Sequence, residues 1–327
     1  MMTTVRPSGP NAPPPIHVGI VLALSVFGIS WAAPLIRLSS APPLVIAGWR
    51  LVIAECVLLA MLVWRREWVA WRRLSRGDHL LAACAGGMLA LHFWSWSASL
   101  AYTTVAASVV LVNLQPAIVA AGSALWLRET VTRQQMAGLL LGILGALLVT
   151  APAILGSAPS ANLATSAPLG LPPRIFGDLL ALVGAITASL YYLTGRRLRA
   201  TLDLVPYVAL VYGWCTIVLF ALAVGRGDRL GPYGATDWAI FAGLAAGPML
   251  LGHTGMNWAL RHLPAHVVNL TVLGEPVGAS LLAMLIPAIG ERPDLWTIAG
   301  GALILVGAVW ALQTKSGETG RAGAKGE

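Results

Sequence analysis

Ten stretches of apolar sequence, each near the roughly 20 residues a helix needs to cross a bilayer, leave this chain little material for a water-soluble core. They fall near 16–36, 43–64, 80–101, 105–127, 135–155, 176–195, 205–225, 238–260, 265–289 and 295–313, with short polar breaks between them. At 57% hydrophobic and 10% charged residues, the composition lies far outside that of soluble domains. The expected fold class is an all-α integral membrane protein with ten transmembrane helices. The Pro-rich residues ahead of the first run carry only Arg6 and no cleavage-site pattern, so that run is read as a retained helix.

A net charge of +8 raises the question of nucleic acid, and the positions of the charges answer it. Arg65, Arg66, Arg72, Arg73 and Arg76 crowd one loop and Arg196, Arg197 and Arg199 another, on the side that also holds both termini. The opposite side carries the sparser Arg37, Arg174, Arg226, Arg229 and Arg292. This asymmetry follows the positive-inside rule, so the basic balance signals topology, with both termini cytoplasmic in the cell's inner (plasma) membrane, and no nucleic-acid partner is expected. Cys56, Cys84 and Cys215 all lie inside apolar runs and are odd in number, which argues against a disulfide framework.

The chain divides at "APAILGSAPSANLATSAPLGLPPR", a Pro/Ala/Ser/Gly linker. The expected organisation is a first five-helix repeat over 1–150, the linker over 151–175, a second five-helix repeat over 176–313 and a cytoplasmic tail over 314–327. Ser99 to Glu129 aligns with Ala259 to Glu291, which superimposes Pro116 on Pro276. Gly138 and Gly145 follow Glu129 at the same spacing at which Gly300 and Gly307 follow Glu291. Units with an odd number of spans insert in opposite senses, and such inverted repeats characterise secondary transporters, whose sites lie near the bilayer midplane.

This duplicated pattern, a proline, an apolar run, "RE" or "GE", then a glycine, resembles the drug/metabolite transporter superfamily and specifically its EamA-type ten-helix exporters. The resemblance covers roughly residues 16 to 313. It implies export of small metabolites, with amino acids or similar amphipathic compounds as the leading class, by alternating access between the repeats. An importer or facilitator on the same fold, or an intramembrane enzyme acting on lipid-like substrates, are the alternatives.

Candidate site residues come from polar groups placed in apolar runs. Pro116 and Pro276 sit near the centres of the fourth and ninth runs, where each removes a helix hydrogen bond and frees the carbonyl at Val112 or Val272. Freed backbone in a membrane belongs where it lines a cavity, and the alternative is a fixed kink. Glu275 stands about ten residues from either end of its run, where its repeat mate is the neutral Gln115. Arg50, in the second run, aligns with Cys215 through "GWR" and "GWC". Two midplane charges of opposite sign, one per repeat, are expected to interact directly or through water. Glu55 is the rival partner, but at i,i+5 it points about 140° away from Arg50, and it is also a candidate partner for Arg65 or Arg66. Glu275 is either a fixed ion-pair member or the group that titrates if protons drive transport.

Tryptophan is abundant, with 13 residues, and several lie in interfacial positions. Deeper are Trp31, Trp94, Trp96, Trp214 and Trp258, with His92 beside Trp94 and Trp96 and with His253 and Asn257 beside Trp258. Of these, Trp31, Trp94, Trp96 and Trp258 are candidate substrate-binding residues, joined by Tyr191, Asn113, Gln115 and Asn269, with Tyr192 adjacent. Together they suit an amphipathic or zwitterionic solute.

No enzyme signature stands out, and no catalytic residue, cofactor or metal site is expected. "HLPAH" has i,i+4 histidines but lacks the glutamate of a zinc protease motif, and "GISWA" is one residue short of a nucleophile elbow. Glycine spacing in "GLLLGILGALL" and "GLAAG" permits close helix approach, within one chain or between two, so a monomer and a homodimer both remain open.

Overall fold

The computed structural model describes residues 15–119, 133–155, 164–199, 202–259 and 271–312. Among these residues every regular element is helical. We number the helices α1 (Pro15–Ser30, continuing past Trp31 as Ala32–Leu38), α2 (Pro43–Trp64), α3 (Arg76–Ser99), α4 (from Val105–Val112), α5 (Arg133–Ile154) and α6 (Pro173–Arg199). They continue as α7 (Leu204–Gly225), α8 (Ala235–Leu244, Ala245–His253 and Thr254–Ala259), α9 (Glu275–Leu285) and α10 (Leu295–Leu312). Six of them, including His17–Leu38 and Ala235–Ala259, are long and apolar enough to cross a membrane, and the shorter apolar helices are Val105–Val119, Met136–Val149, Glu275–Leu285 and Leu295–Gly307. The protein is an all-α, multi-pass integral membrane protein.

Local chemistry sets the helix ends. Ser75 and Asp78 form a reciprocal capping box at the start of α3, with Ser75 Oγ accepting from Asp78 N at 3.2 Å and Asp78 Oδ2 from Ser75 N at 3.1 Å. This box starts the helix at Arg76, ahead of the apolar run at 80. Thr104 caps α4 by accepting from Ala107 N at 3.2 Å, and Asp294 caps α10 by accepting from Thr297 N at 2.6 Å. The ninth run does not stay helical to 289, because Ile286 precedes Pro287 and takes an extended conformation that ends α9 at Leu285.

The expected fourth, eighth and ninth helices are not continuous. α4 and α9 are each interrupted near their proline, and α8 widens to i→i+5 hydrogen bonding over Ala245–His253, around Pro248. By contrast α3, which corresponds to α8 in the sequence repeat, is an unbroken helix of 24 residues.

The helices pack in a reciprocal pattern. α5 lies on α10, α2 on α7 and α4 on α9, while the contact of α3 with α6 is matched by that of α8 with α1. The α5 and α10 axes run antiparallel and approach through glycine. A Cβ on Gly307 would stand 2.6 Å from the Gly138 carbonyl oxygen, a separation only glycine tolerates. Apolar side chains such as Leu144, Leu147, Ile217 and Val306 point outward, as lipid-facing residues should. Glu129, His262, His266 and Asn269 lie outside the described residues.

Candidate functional site

The helices that carry Pro116 and Pro276 break at the same repeat position, and in each the break comes before the proline. In α4 the chain turns at Asn113 and Leu114, with Leu114 N donating to Leu111 O at 3.1 Å, and helix resumes at Gln115. In α9 it turns at Leu273 and Gly274, with Gly274 N donating to Thr271 O at 3.0 Å, and helix resumes at Glu275. Pro116 and Pro276 therefore stand in the first turn of a new helical segment, where a missing N–H goes unused. Gln115 and Glu275 head these segments. A carboxylate there faces the positive end of the 11-residue helix Glu275–Leu285.

Because α4 packs on α9, the two breaks meet inside the bundle. They open onto a cavity of about 40 Å³, room for about three waters. Its polar lining comes from Arg50 of α2, His92 and Trp96 of α3, Asn113 and Gln115 of α4, Tyr192 of α6, His253 of α8 and Glu275 of α9. Pro116, Pro248 and Met256 and the α1 residues Ile29 and Ala32 complete much of the rest.

Arg50 is only 1% exposed. Its guanidinium carbon lies 3.9 Å from the ring centroid of Phe93, in cation–π geometry. Its Nε and Nη2 have no hydrogen-bond partner, and among the described residues no carboxylate forms an ion pair with it. Glu275 faces the same cavity, within hydrogen-bonding reach of the Asn113 side chain, which also donates to Val109 O at 2.9 Å. The two charges thus share one space without a direct pair. Glu55 turns the other way, toward Gly213 of α7, with Oε2 buried and unpartnered. It does not serve Arg65, whose carboxylate neighbour is Glu67 at 3.9 Å, because α2 carries Glu55 a full two turns below its end.

The aromatic wall is ordered by contacts between helices. His92 Nδ1 lies 2.9 Å from Gly184 O on α6, and its ring is parallel to that of Trp96 at 6.2 Å. Phe93 meets His253 edge-on at 5.9 Å, which joins α3 to the wide turn of α8.

Of the candidates read from sequence, Arg50, Trp96, Asn113, Gln115, Pro116 and Glu275 line this cavity. Others stand elsewhere. Trp31 marks the interruption of α1 and meets Phe27 edge-on. Trp94 packs on the main core and Trp258 on a smaller cluster with Val18, Leu22 and Met256. Tyr191 is buried against its neighbours while Tyr192 reaches the cavity, and Pro276 is buried at the start of α9. Met256, Ile29 and Ala32 are not among the sequence candidates, since isolated small or apolar residues in an apolar run carry no sequence signal. The Pro248 in α8 was such a signal by the same rule that drew attention to Pro116.

One end of the bundle, the one expected to face away from the cytoplasm, is tied by polar contacts. Arg37 of α1 pairs with Glu291 at 2.8 Å, and the other Glu291 oxygen accepts from Val105 N, at the start of α4, at 2.7 Å. Arg174 pairs with Asp294 at 3.0 Å. Burial pushes the Asp294 carboxyl up, but hydrogen bonds from Thr297 and the Arg174 guanidinium outweigh it and hold the group below the usual carboxylate range. Asp237 accepts from Ser39 Oγ at 2.6 Å and Ser40 Oγ at 2.8 Å, and Thr103 donates to Asp178 at 2.7 Å.

Comparison with known proteins places this architecture. The model of the EamA-like transporter family matches residues 15–151 and again 175–313. An uncharacterized transporter of Archaeoglobus fulgidus is 24% identical over 295 residues, covering 89% of this chain and 95% of that protein. The pseudopaline exporter CntI of Pseudomonas aeruginosa is 30% identical over 304 residues, 91% of this chain and 97% of its own length. A solved crystal structure with 20% identity superimposes with a TM-score of 0.61 over 90% of this chain and 96% of its own, a likeness of fold.

Proposed function

Since the chain belongs to the EamA-like transporter family, we propose that it exports a small amphipathic metabolite, with amino acids as the leading class, from the cytoplasm across the inner membrane. The observation that carries this reading is the polar cavity at the meeting of two broken helices, where a buried Arg50 and a buried Glu275 stand without an ion-pair partner among the described residues. Charges in mid-membrane are expensive and mark solute pathways. The similarity to a protein named as an exporter supports the direction.

Two inverted five-helix repeats, with both termini cytoplasmic, supply the mechanism. The reciprocal packing of α5 on α10, α2 on α7 and α4 on α9 supports a two-fold relation between the halves, as does the family match in two stretches. One half rocks against the other, and the segments headed by Gln115 and Glu275 tilt at their breaks to open the cavity alternately to either side. The contacts of Glu291, Asp294 and Asp237 close the outer end and release when the cavity opens outward. Glu275 is the candidate proton carrier.

Counterflow in proteoliposomes with a panel of amino acids and related metabolites tests this. The expected result is exchange of a subset of the panel. Absence of any solute movement, with chemical change in a lipid instead, would replace the reading with an intramembrane enzyme, and obligate uptake would reverse the direction.

A further inference from the structure

Arg50 and Cys215 occupy matching places in the two halves of the sequence, so the architecture itself does not require a cation there. Nevertheless a guanidinium 1% exposed, with Nε and Nη2 unpartnered, is kept at the cavity wall. Such a group is always charged, presents a rigid fork of donors and matches a planar carboxylate with two parallel hydrogen bonds. The Phe93 face supports the charge from one side but accepts no hydrogen bond along the fork.

The second charge shows a different arrangement. Glu275 shares the cavity wall with Asn113 and lies at the positive end of its own helical segment. In its ionised form it puts a negative charge into the cavity that no ion pair among the described residues neutralises. A doubly anionic solute such as a phosphate would meet repulsion from this carboxylate. A solute with one anionic and one cationic group satisfies both walls.

Resting on the transporter reading above, we propose that the cavity recognises an α-amino-acid-like zwitterion through its two charges, with the carboxylate on Arg50 and the ammonium on Glu275. Phe93 is a positioning residue that holds the guanidinium toward the cavity. The small volume in the present conformation, about 40 Å³, means that the solute enters as the halves part. Charge pairing, rather than a preformed pocket for the side chain, sets selectivity.

The test uses the purified full-length chain and sets of three probes that share a carbon skeleton: leucine, 3-methylbutylamine and 4-methylpentanoate, with the corresponding sets built on phenylalanine and methionine. Binding is read by thermal shift and transport by counterflow. In the wild type, removing either charged group of the probe is expected to weaken binding about ten- to hundredfold, the scale of a hydrogen bond to a charged group. Arg50→Gln is expected to erase the preference for zwitterion over amine while keeping the preference of zwitterion over acid, and Glu275→Gln to do the reverse. Phe93→Leu is expected to weaken zwitterion binding without changing amine binding. A wild type that takes the amine as well as the amino acid, or that binds none of the probes, overturns the proposal, and so does an Arg50→Gln variant that still prefers the zwitterion over the amine. Arg50→Lys and the wild-type probe series decide the matter if Arg50→Gln fails to fold. Selective binding without counterflow would retain the two-charge site and overturn the transporter reading alone.

Discussion

Gly145 and Gly300 face each other at a separation that admits no side chain: a Cβ on either would stand 2.5 Å from the other's carbonyl oxygen. The contact joins α5 to α10. Gly145→Ala or Gly300→Ala is expected to destabilise the purified protein by about 1–3 kcal/mol, the usual penalty of overpacking. Gly87, in α3, provides the control, because nothing lies within 4 Å of its added Cβ. Gly87→Ala should leave thermal stability unchanged or raise it, and equal losses at Gly87 and Gly145 would refute the close-packing argument.

Glu291 ties the loop after α9 to α1 through Arg37 and to the N-terminus of α4 through Val105 N. Removing either partner of a largely buried charge pair strands the other. Arg37→Ala and Glu291→Ala should each lower stability by about 1–3 kcal/mol, and the double variant should lose less than the sum. Unfolding midpoints of the four proteins in one detergent measure the coupling. Strict additivity would mean that the pair contributes nothing.

The Asp294 carboxyl titrates below its ordinary range in the folded protein. A lowered native value means that its contribution to stability is fully present above the unfolded value, about 3.9, and is lost as pH falls through the native one. Wild-type protein should therefore lose stability between about pH 4 and the lower native value more steeply than Asp294→Asn. Thermal scans of both proteins across that window check the sign, and parallel profiles would exclude Asp294 as a contributor.

Pro116 and Pro276 lie in first turns, and alanine is the best helix former that could stand there. Replacement supplies an N–H and allows the two segments of α4 or α9 to join. Turnover should fall several-fold in Pro116→Ala and Pro276→Ala while membrane yield stays near wild type. Initial rates normalised to protein amount distinguish this from simple loss of assembly, which would lower both together.

Glu275→Gln keeps the shape of the side chain and removes its charge. If this carboxyl carries the proton, accumulation driven by a pH gradient should vanish, while exchange at equal pH, weakened by the lost ammonium contact, persists at high solute concentration. Unchanged coupling in proteoliposomes of the variant would assign the proton elsewhere.

Much of this arrangement was legible in the chain. Apolar runs located the helices because the bilayer imposes one length on all of them, and Glu275 and Arg50 stood out because a charge in such a run has few reasons to exist. The duplicated prolines marked the breaks in α4 and α9 to within a few residues. What could not be read was contact between distant segments. Phe93 looks like any core aromatic until α2 brings Arg50 over its face, and Glu291 looks like a loop acid until Arg37 and Val105 meet it. The choice of Tyr192 over Tyr191 for the cavity depends on the rotation of α6, which adjacent residues do not reveal.

The wide turn of α8 has no counterpart in the straight helix α3. In a carrier assembled from two identical inverted copies, the inward- and outward-facing forms would be the same structure viewed from opposite sides of the membrane, and their free energies would be degenerate. A turn held at i→i+5 around Pro248 in one copy alone lifts that degeneracy, because the strain it stores or releases enters one form differently from the other. On the proposed alternating-access mechanism, Pro248 is thus one position at which the resting orientation of the empty carrier can be shifted without touching either charge in the cavity.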